Sequence, residues 1–72
     1  GTITYRFGPD LLTITTHDNS STHFYKDAIE ALESGSAFYI MYTKSIGIIL
    51  PKEDTTPALE DFIRKTFPTR KI

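Results

Sequence analysis

Short runs in which apolar and polar residues alternate, each ended by turn-forming residues, limit this chain to a fold built mainly of β-strands. Two such runs open the sequence, at residues 2–7 and 11–16, and the short turn-forming segment at residues 8–10 predicts that they pair as a hairpin. The polar segment at residues 17–20 separates them from a third predicted strand at residues 21–24, where threonine and phenylalanine favour extended structure.

The two segments with the strongest β-strand character are Ala37–Thr43 and Ile46–Leu50, which are rich in β-branched and aromatic residues. The short connection Lys44-Ser45 joins them. Apolar side chains occupy both faces of the first segment, which predicts that this hairpin is the central pair of the sheet. Tyr39 lies on its second face and is the aromatic residue expected to be most exposed to a ligand.

The stretch Tyr25–Ser34 fits two structures. As a helix it places Tyr25, Ile29 and Leu32 on one face, and its alanines and glutamates have high helix propensity. As a helical turn followed by a strand, it pairs with the next β-run across a hairpin loop at residues 35–36. The local pattern taken alone favours the helix.

One amphipathic helix is predicted near the C-terminus. Thr56 is a favoured N-cap residue, and Pro57 suits the first helical position. The apolar residues that follow recur at three- and four-residue spacing and form one stripe for packing on the sheet: Leu59, Phe62, Ile63 and Phe67. Pro68 ends the helix. Residues 69–72 are predicted to fray.

The composition limits the classes of function. A chain of 72 residues can bury one core, so residues 1–72 are predicted to be a single domain. Eight basic residues against nine acidic ones leave a net charge of −1, without the basic excess of nucleic-acid binders. Cysteine is absent, which excludes disulfides and thiolate sites. Because Gly1 leads at once into a strand pattern, we expect a segment excised from a longer protein.

Catalytic and metal sites receive little support from the sequence. A zinc site needs three or four ligands, and His17 and His23 are not accompanied by a second pair, so no metal or cofactor is expected. Thr22 and His23 are neighbours on a predicted strand and therefore point to opposite faces. The enzymatic alternative is a small hydrolase that uses His23 with Asp18 or Asp27.

The one local excess of charge is basic and lies at the C-terminal end of the predicted helix, at Arg64, Lys65, Arg70 and Lys71. A solvated helix end and contact with an anionic surface both explain it. Within the helix, Glu60 is spaced to pair with Arg64, and Asp61 with Lys65. The four basic residues and Tyr39 are the candidate partner-binding residues.

Three runs followed by the closing helix resemble, in kind and order, the C-terminal domain of the YcxB-like proteins. The runs are Tyr25–Ile29, Phe38–Tyr42 and Ile48–Lys52, and the resemblance extends over nearly the whole chain. The sequence departs from the family pattern after Lys52, where Glu53-Asp54 replaces a more basic and aromatic continuation.

The resemblance implies an α+β, mostly β fold: a bent antiparallel sheet of about six strands, similar to a pleckstrin-homology-like (PH-like) roll, capped by one C-terminal helix. It implies that Tyr25–Ala28 is a helical turn and Ile29–Ser34 a strand. It also implies a bacterial membrane protein with a pair of upstream transmembrane helices and this domain at the cytoplasmic face of the inner membrane. It supplies no catalytic residue.

Three functions follow as hypotheses. The leading one is a non-enzymatic interaction module that binds a protein or an anionic lipid. The second is the small hydrolase that uses His23. The third is a binder of single-stranded nucleic acid on the sheet, which the balanced charge disfavours, so no nucleic-acid partner is expected.

Overall fold

The chain folds as an α+β protein made mostly of strands. The computed structural model describes residues 3–72, so Gly1 and Thr2, and with them the expected excised start, lie outside the described residues. Within residues 3–72 there are seven strands, two short 3-10 turns and one α-helix. In chain order they are β1 (Thr4–Phe7), β2 (Leu11–Thr15), β3 (Ser20–Phe24), a 3-10 turn (Tyr25–Asp27), β4 (Glu30–Glu33), β5 (Ala37–Met41), β6 (Gly47–Pro51), a second 3-10 turn (Lys52–Asp54), α1 (Pro57–Thr66) and β7 (Thr69–Lys71).

The first sheet is an antiparallel meander of β1, β2 and β3. Both of its turns are closed by backbone hydrogen bonds: Gly8 N–H donates to Leu11 O at 2.8 Å, and Thr16 N–H donates to Asn19 O at 2.7 Å. The predicted hairpin of the first two runs and the predicted third strand are therefore confirmed, and the third strand pairs with β2.

The second sheet has the strand order β6-β5-β4-β7, with β7 parallel to β4 and the other pairs antiparallel. The prediction of one bent antiparallel sheet of about six strands is therefore wrong in detail, since two sheets of three and four strands are present within residues 3–72. The 3-10 turn at Tyr25–Asp27 lies between β3 and β4, and after it the chain pairs with β5 instead of β3.

The ambiguous stretch Tyr25–Ser34 is a helical turn followed by a strand. The structure implied by the family resemblance is confirmed here, and the helix favoured by the local pattern is wrong. The reason is pairing on both sides of β4: Ala31 lies opposite Ile40 on β5, and its N–H donates to Pro68 O at 2.7 Å. Hydrogen bonds and burial between strands outweigh helix propensity over so few residues.

The hairpin of β5 and β6 is not the central pair that the sequence predicts. β5 lies inside the sheet, between β6 and β4, whereas β6 is an edge strand. The assignment of faces is confirmed, because Phe38 and Ile40 are buried while Tyr39 and Met41 on the other face are only partly buried.

Helix α1 covers the inner faces of both sheets. The Thr56 hydroxyl accepts a hydrogen bond from Leu59 N–H at 3.2 Å, and Pro57 is the first helical residue, as predicted. Ile63 and Phe67 belong to the buried core, and the ring of Phe62 lies 6.0 Å from that of Phe7 on β1. The predicted apolar stripe is confirmed.

The C-terminal tail is ordered, so the prediction that residues 69–72 fray is wrong. Strand β7 runs parallel to β4, with Thr69 opposite Ala31 and Lys71 opposite Glu33. Ile72 N–H continues this pairing by donating to Glu33 O at 2.8 Å. The end of α1 returns the chain to the open side of β4, where these backbone groups find partners.

Candidate functional site

A groove of about 850 Å³ separates the two sheets where their edge strands β1 and β6 face each other. Tyr5 and Phe7 contribute to its wall from β1, Ile49 contributes from β6, and Leu59 of α1 contributes from the helix. No backbone pairing joins β1 to β6 within residues 3–72. One side-chain hydrogen bond crosses the gap, from the Tyr5 hydroxyl to Ile49 O at 3.4 Å, which is at the long end for such a bond.

The β6 side of the groove presents backbone groups that no neighbouring strand uses. Ile46 O accepts from Tyr42 N–H at 2.9 Å, which places the hydrogen-bonding edge of Ile46, and by alternation that of Ile48 and Leu50, toward β5. The N–H and C=O groups of Gly47 and Ile49 therefore point away from β5, and those of Ile49 lie at the groove.

The β1 side has the same arrangement. Gly8 N–H donates to Leu11 O, so alternation directs the backbone groups of Arg6 and Thr4 toward β2. Those of Tyr5 and Phe7 point toward the groove. The groove therefore lies between two rows of backbone donors and acceptors that are free to bind an added extended chain.

The surface of the groove is apolar, and one of its ends is acidic. Ile3 and Ile49 are 52% and 56% exposed, although both are large aliphatic residues. Asp54 lines the groove beyond Pro51, and Glu53 precedes it in the 3-10 turn. No salt bridge to either carboxylate is found within residues 3–72.

On β4, inside the second sheet, Glu33 forms a buried ion cluster that the sequence did not reveal. Its side chain is 6% exposed and accepts hydrogen bonds from Arg64 at 2.9 and 3.1 Å and from Lys52 at 2.8 Å. These bonds, first from Arg64 and then from Lys52, lower the pKa of Glu33 from 4.5 to about 2. Both cations also lie over the ring of Phe38, at 5.4 and 5.2 Å from its centre.

The four basic candidates for partner binding divide into two kinds. Arg64 neutralises Glu33 and lies 3.5 Å from Glu60 as predicted, and Arg70 pairs with Glu30 at 3.3 Å. Lys65 and Lys71 are exposed, and no salt bridge to them is found in the described part of the chain. The predicted pairing of Asp61 with Lys65 is wrong, because the Asp61 carboxylate lies 3.4 Å from Arg64 instead.

Tyr39, the fifth candidate for partner binding, lies on β5 beside the groove strand β6. It is directly opposite Ile49 in the β5–β6 register, so the two side chains are neighbours on the same face of the sheet. Its place on the second face of β5 is as predicted, and its side chain is partly buried. The signal that pointed to this face was the apolar character of both sides of β5.

The side chain of His23 contacts Ser21 and not the expected carboxylates. Ser21 Oγ lies 3.1 Å from His23 Nε2, because residues two apart on a strand share a face. Among residues 3–72 no hydrogen bond or salt bridge joins His23 to Asp18 or Asp27. The ring of His23 also lies 5.5 Å from that of Tyr42. No carboxylate of the described residues is therefore placed to orient the imidazole.

Among residues 3–72 no group of three or more histidine, aspartate or glutamate side chains is arranged to hold a metal ion. No helix of the described chain has the length and apolar character needed to cross a bilayer.

Within residues 3–72 the fold and the groove define a small strand-rich domain in which the free edges of β1 and β6 line an open groove. Comparison with protein-family models gives a match to YcxB-like protein over residues 7–67. The chain therefore belongs to the YcxB-like protein family. No match was found among curated proteins or among solved structures.

Proposed function

We propose that this chain is a non-enzymatic interaction module of a bacterial membrane protein, held at the cytoplasmic face of the inner membrane, and that it binds a protein partner in the groove between β1 and β6. The observation that carries the proposal is the open edge of β6. The sequence of this strand, Gly-Ile-Ile-Leu-Pro, contains no charged residue. Its backbone groups at Gly47 and Ile49 point away from β5, and Ile49 lines the groove.

The apolar edge supports binding because folded proteins usually protect such edges with charged residues, short strands or a covering element. An exposed β-strand edge next to an apolar groove is a known kind of protein-binding site. A protein is favoured over an anionic lipid because two of the four candidate cations are already paired, Arg64 with Glu33 and Arg70 with Glu30.

The same proposal extends to the fold and the location. We assign the two sheets and α1 to the PH-like roll expected for the family, supported by separate three- and four-stranded sheets and by a helix near the C-terminus. Membrane attachment through an upstream segment is likewise part of the proposal, and it rests on the family resemblance.

Site-specific photo-crosslinking in the full-length protein tests the proposed partner site. A photoreactive amino acid is placed at Ile49 in the groove or, as the matched control, at Ile46, which is 64% exposed in the loop before β6. We expect a protein crosslink in membranes of the native host from position 49 and none from position 46. Equal crosslinking at both positions, or none at position 49, would contradict the proposal.

Two controls separate the alternatives. The 72-residue chain is incubated with vesicles of anionic phospholipid and with neutral vesicles, and equal, low binding to both is expected. Strong binding to anionic vesicles alone, reduced by Lys65→Ala and Lys71→Ala together, would favour the lipid instead. Fractionation of the full-length protein into the soluble fraction would contradict membrane attachment.

A further inference from the structure

We propose that the partner contributes an extended peptide segment with alternating apolar residues and a basic end, which adds a fifth strand to the four-stranded sheet beside β6. This inference rests on the proposed function, because it specifies what the groove binds. It is carried by the direction of the backbone groups, the apolar walls of the groove and the acidic end next to Pro51.

The backbone of β6 determines how far an added strand can pair. Gly47 and Ile49 each direct an N–H and a C=O away from β5, and Ile49 lines the groove, so a peptide running alongside β6 has donors and acceptors at alternate residues. Pro51 has no N–H, so pairing on that side is limited to its carbonyl. An N–H of the peptide replaces the Tyr5 hydroxyl as the hydrogen-bond donor to Ile49 O. The bond that is replaced is long, at 3.4 Å.

The walls determine the side chains of the peptide. Alternate side chains of the added strand point to the inside of the groove, where Tyr5, Phe7 and Leu59 provide apolar contacts. The remaining side chains lie on the outer face, next to the exposed Ile49 and its cross-strand neighbour Tyr39. Both faces therefore favour apolar or β-branched residues, which also have high strand propensity.

The charges determine the orientation. Glu53 and Asp54 lie beyond the Pro51 end of β6, and no salt bridge to them is found in the described part of the chain. A lysine or arginine at the adjacent end of the peptide gives these carboxylates a partner.

The position of the edge favours a slender peptide over a second copy of this chain. The free edge of β6 borders a groove whose other side is formed by β1, and the Tyr5 hydroxyl of β1 reaches Ile49 O across the gap. In a second copy the equivalent edge faces its own β1 in the same way. Two such edges cannot approach to the 4.7–4.9 Å typical of strand pairing unless both β1 strands move away.

Titrations of the isotopically labelled 72-residue chain, followed by amide NMR shifts, test the inference with defined probes. The first probe is a capped peptide of alternating valine and threonine with lysine at both ends. The second has glutamate at both ends, and the third is the lysine peptide with N-methyl groups on alternate amides. We expect the lysine peptide to shift the amides of Gly47, Ile49 and Tyr5, and N-methylation to weaken its binding about tenfold or more, since it removes at least two hydrogen bonds.

Variants of the chain provide the matched tests. Ile49→Pro removes the N–H that points away from β5 together with the Ile49 side chain, and it retains the groups of Ile48 and Leu50 that bond to β5. It should therefore weaken binding of the lysine peptide severalfold, while Ile46→Ala should not. Asp54→Asn combined with Glu53→Gln should abolish the preference for lysine over glutamate ends. If Ile49→Pro does not fold, the N-methylated peptide still tests the backbone pairing on the unaltered chain.

Several results would overturn the inference. Three of them concern the peptides: equal binding of the N-methylated and unmodified peptides, amide NMR shifts confined to another surface of the chain, and no binding of the lysine peptide at about 1 mM. The fourth is self-association of the chain through Ile49 in place of peptide binding. A crosslink from position 49 in cells together with any of the first three results would leave the proposed function standing and reject only the extended-strand mode. Absence of both the crosslink and peptide binding would reject both.

Discussion

The two edges of the four-stranded sheet differ in length, charge and covering. At one edge β7 has three residues, Thr-Arg-Lys, and its Arg70 is paired with Glu30. At the other edge β6 has five residues with no charge and faces a groove. Short, basic edge strands discourage the addition of another strand, whereas an apolar edge permits it. The comparison indicates that the β7 edge is protected and that the β6 edge is the one available for binding.

The contacts beneath the two edges differ in the same way. Next to β7, the buried Glu33 connects β4 to α1 through Arg64 and to the 3-10 turn after β6 through Lys52. Across the groove, the Tyr5 hydroxyl makes one long bond to Ile49 O. Elements with few stabilising contacts open at lower free energy than the core. We therefore expect the region around Glu33 to be the more stable one, and the strands β1 and β6 at the groove to move apart more easily.

Truncation of the helix stripe should destabilise the chain most. Ile63→Ala removes a fully buried side chain of the core and should lower the free energy of unfolding by about 2–5 kcal/mol, measured by urea denaturation. Lys65→Ala, on the exposed face of α1, should change it by less than about 0.5 kcal/mol. If Ile63→Ala leaves no folded protein, Ile63→Val should still lower it by about 0.5–1.5 kcal/mol. Equal effects at positions 63 and 65 would contradict the packing of α1.

Neutralisation of Glu33 in the ion cluster should cause the second-largest loss of stability. Glu33→Gln keeps the size of the side chain but leaves Arg64 and Lys52 without their carboxylate, so we expect a loss of about 2–3 kcal/mol in unfolding free energy. This is less than for a fully buried pair, because the Arg64 side chain is 40% exposed. Asp61→Asn removes the exposed partner of Arg64 and should have almost no effect, and a similar loss for both variants would contradict the role of burial.

Protonation of Glu33 at low pH should remove the stability that its carboxylate supplies to the unaltered chain. The pKa of Glu33 is about 2 when folded, against an ordinary value of 4.5, so the folded state binds this proton less readily than the unfolded state. The stability supplied by the carboxylate is therefore complete above about pH 4.5 and is lost as the pH falls toward 2. Denaturation measured at several pH values should show a shallower acid decline for Glu33→Gln, and parallel curves would count against the cluster.

Removal of the helix cap should have a smaller effect. Thr56→Ala removes the oxygen that accepts from Leu59 N–H and should lower the unfolding free energy by about 1 kcal/mol. Thr56→Ser, which retains the hydroxyl, is the control and should remain close to the unaltered chain. A full effect in the serine variant would show that the methyl group and not the hydrogen bond is responsible.

Ile49→Ala should have the smallest effect on stability. Its side chain is 56% exposed, whereas its neighbour Leu50 is 2% exposed, so we expect a change of less than about 0.5 kcal/mol for Ile49→Ala and a loss of about 2–5 kcal/mol for Leu50→Ala. Thermal or urea unfolding of both variants measures this difference between neighbouring residues. Comparable losses would mean that Ile49 is covered and that the groove is closed.

Local patterns predicted the parts of the fold that depend on neighbouring residues. The hairpins, the capped helix and its stripe of Leu59, Ile63 and Phe67 follow from spacing alone. β7 could not be predicted, because three polar residues carry no strand signal and pair only after α1 returns them to β4. The strand within Tyr25–Ser34 likewise depends on pairing with distant residues, so only the family resemblance predicted it.

The functional features were harder to predict. Glu33 lies in a run rich in alanine and glutamate, and its partner Arg64 is 31 residues away, so the burial of its charge left no local signal. The sequence pattern placed Arg64 in a charged surface, because its spacing from Glu60 already gave it an ion-pair partner on the same helix. The groove was missed because it depends on which strands become edges, and no local pattern shows this. Tyr39 lies opposite Ile49 in the register, but its role in binding stays a prediction.

Amide hydrogen exchange along β6 in the unbound chain tests whether the groove edge is open. The structure predicts alternation: the amides of Ile48 and Leu50, bonded to β5, should exchange slowly, whereas those of Ile49 and, across the gap, Tyr5 should exchange nearly as fast as in an unfolded peptide. If Ile49 and Tyr5 are protected as strongly as Ile48, β1 and β6 are paired with each other, and no open edge exists for a partner to bind.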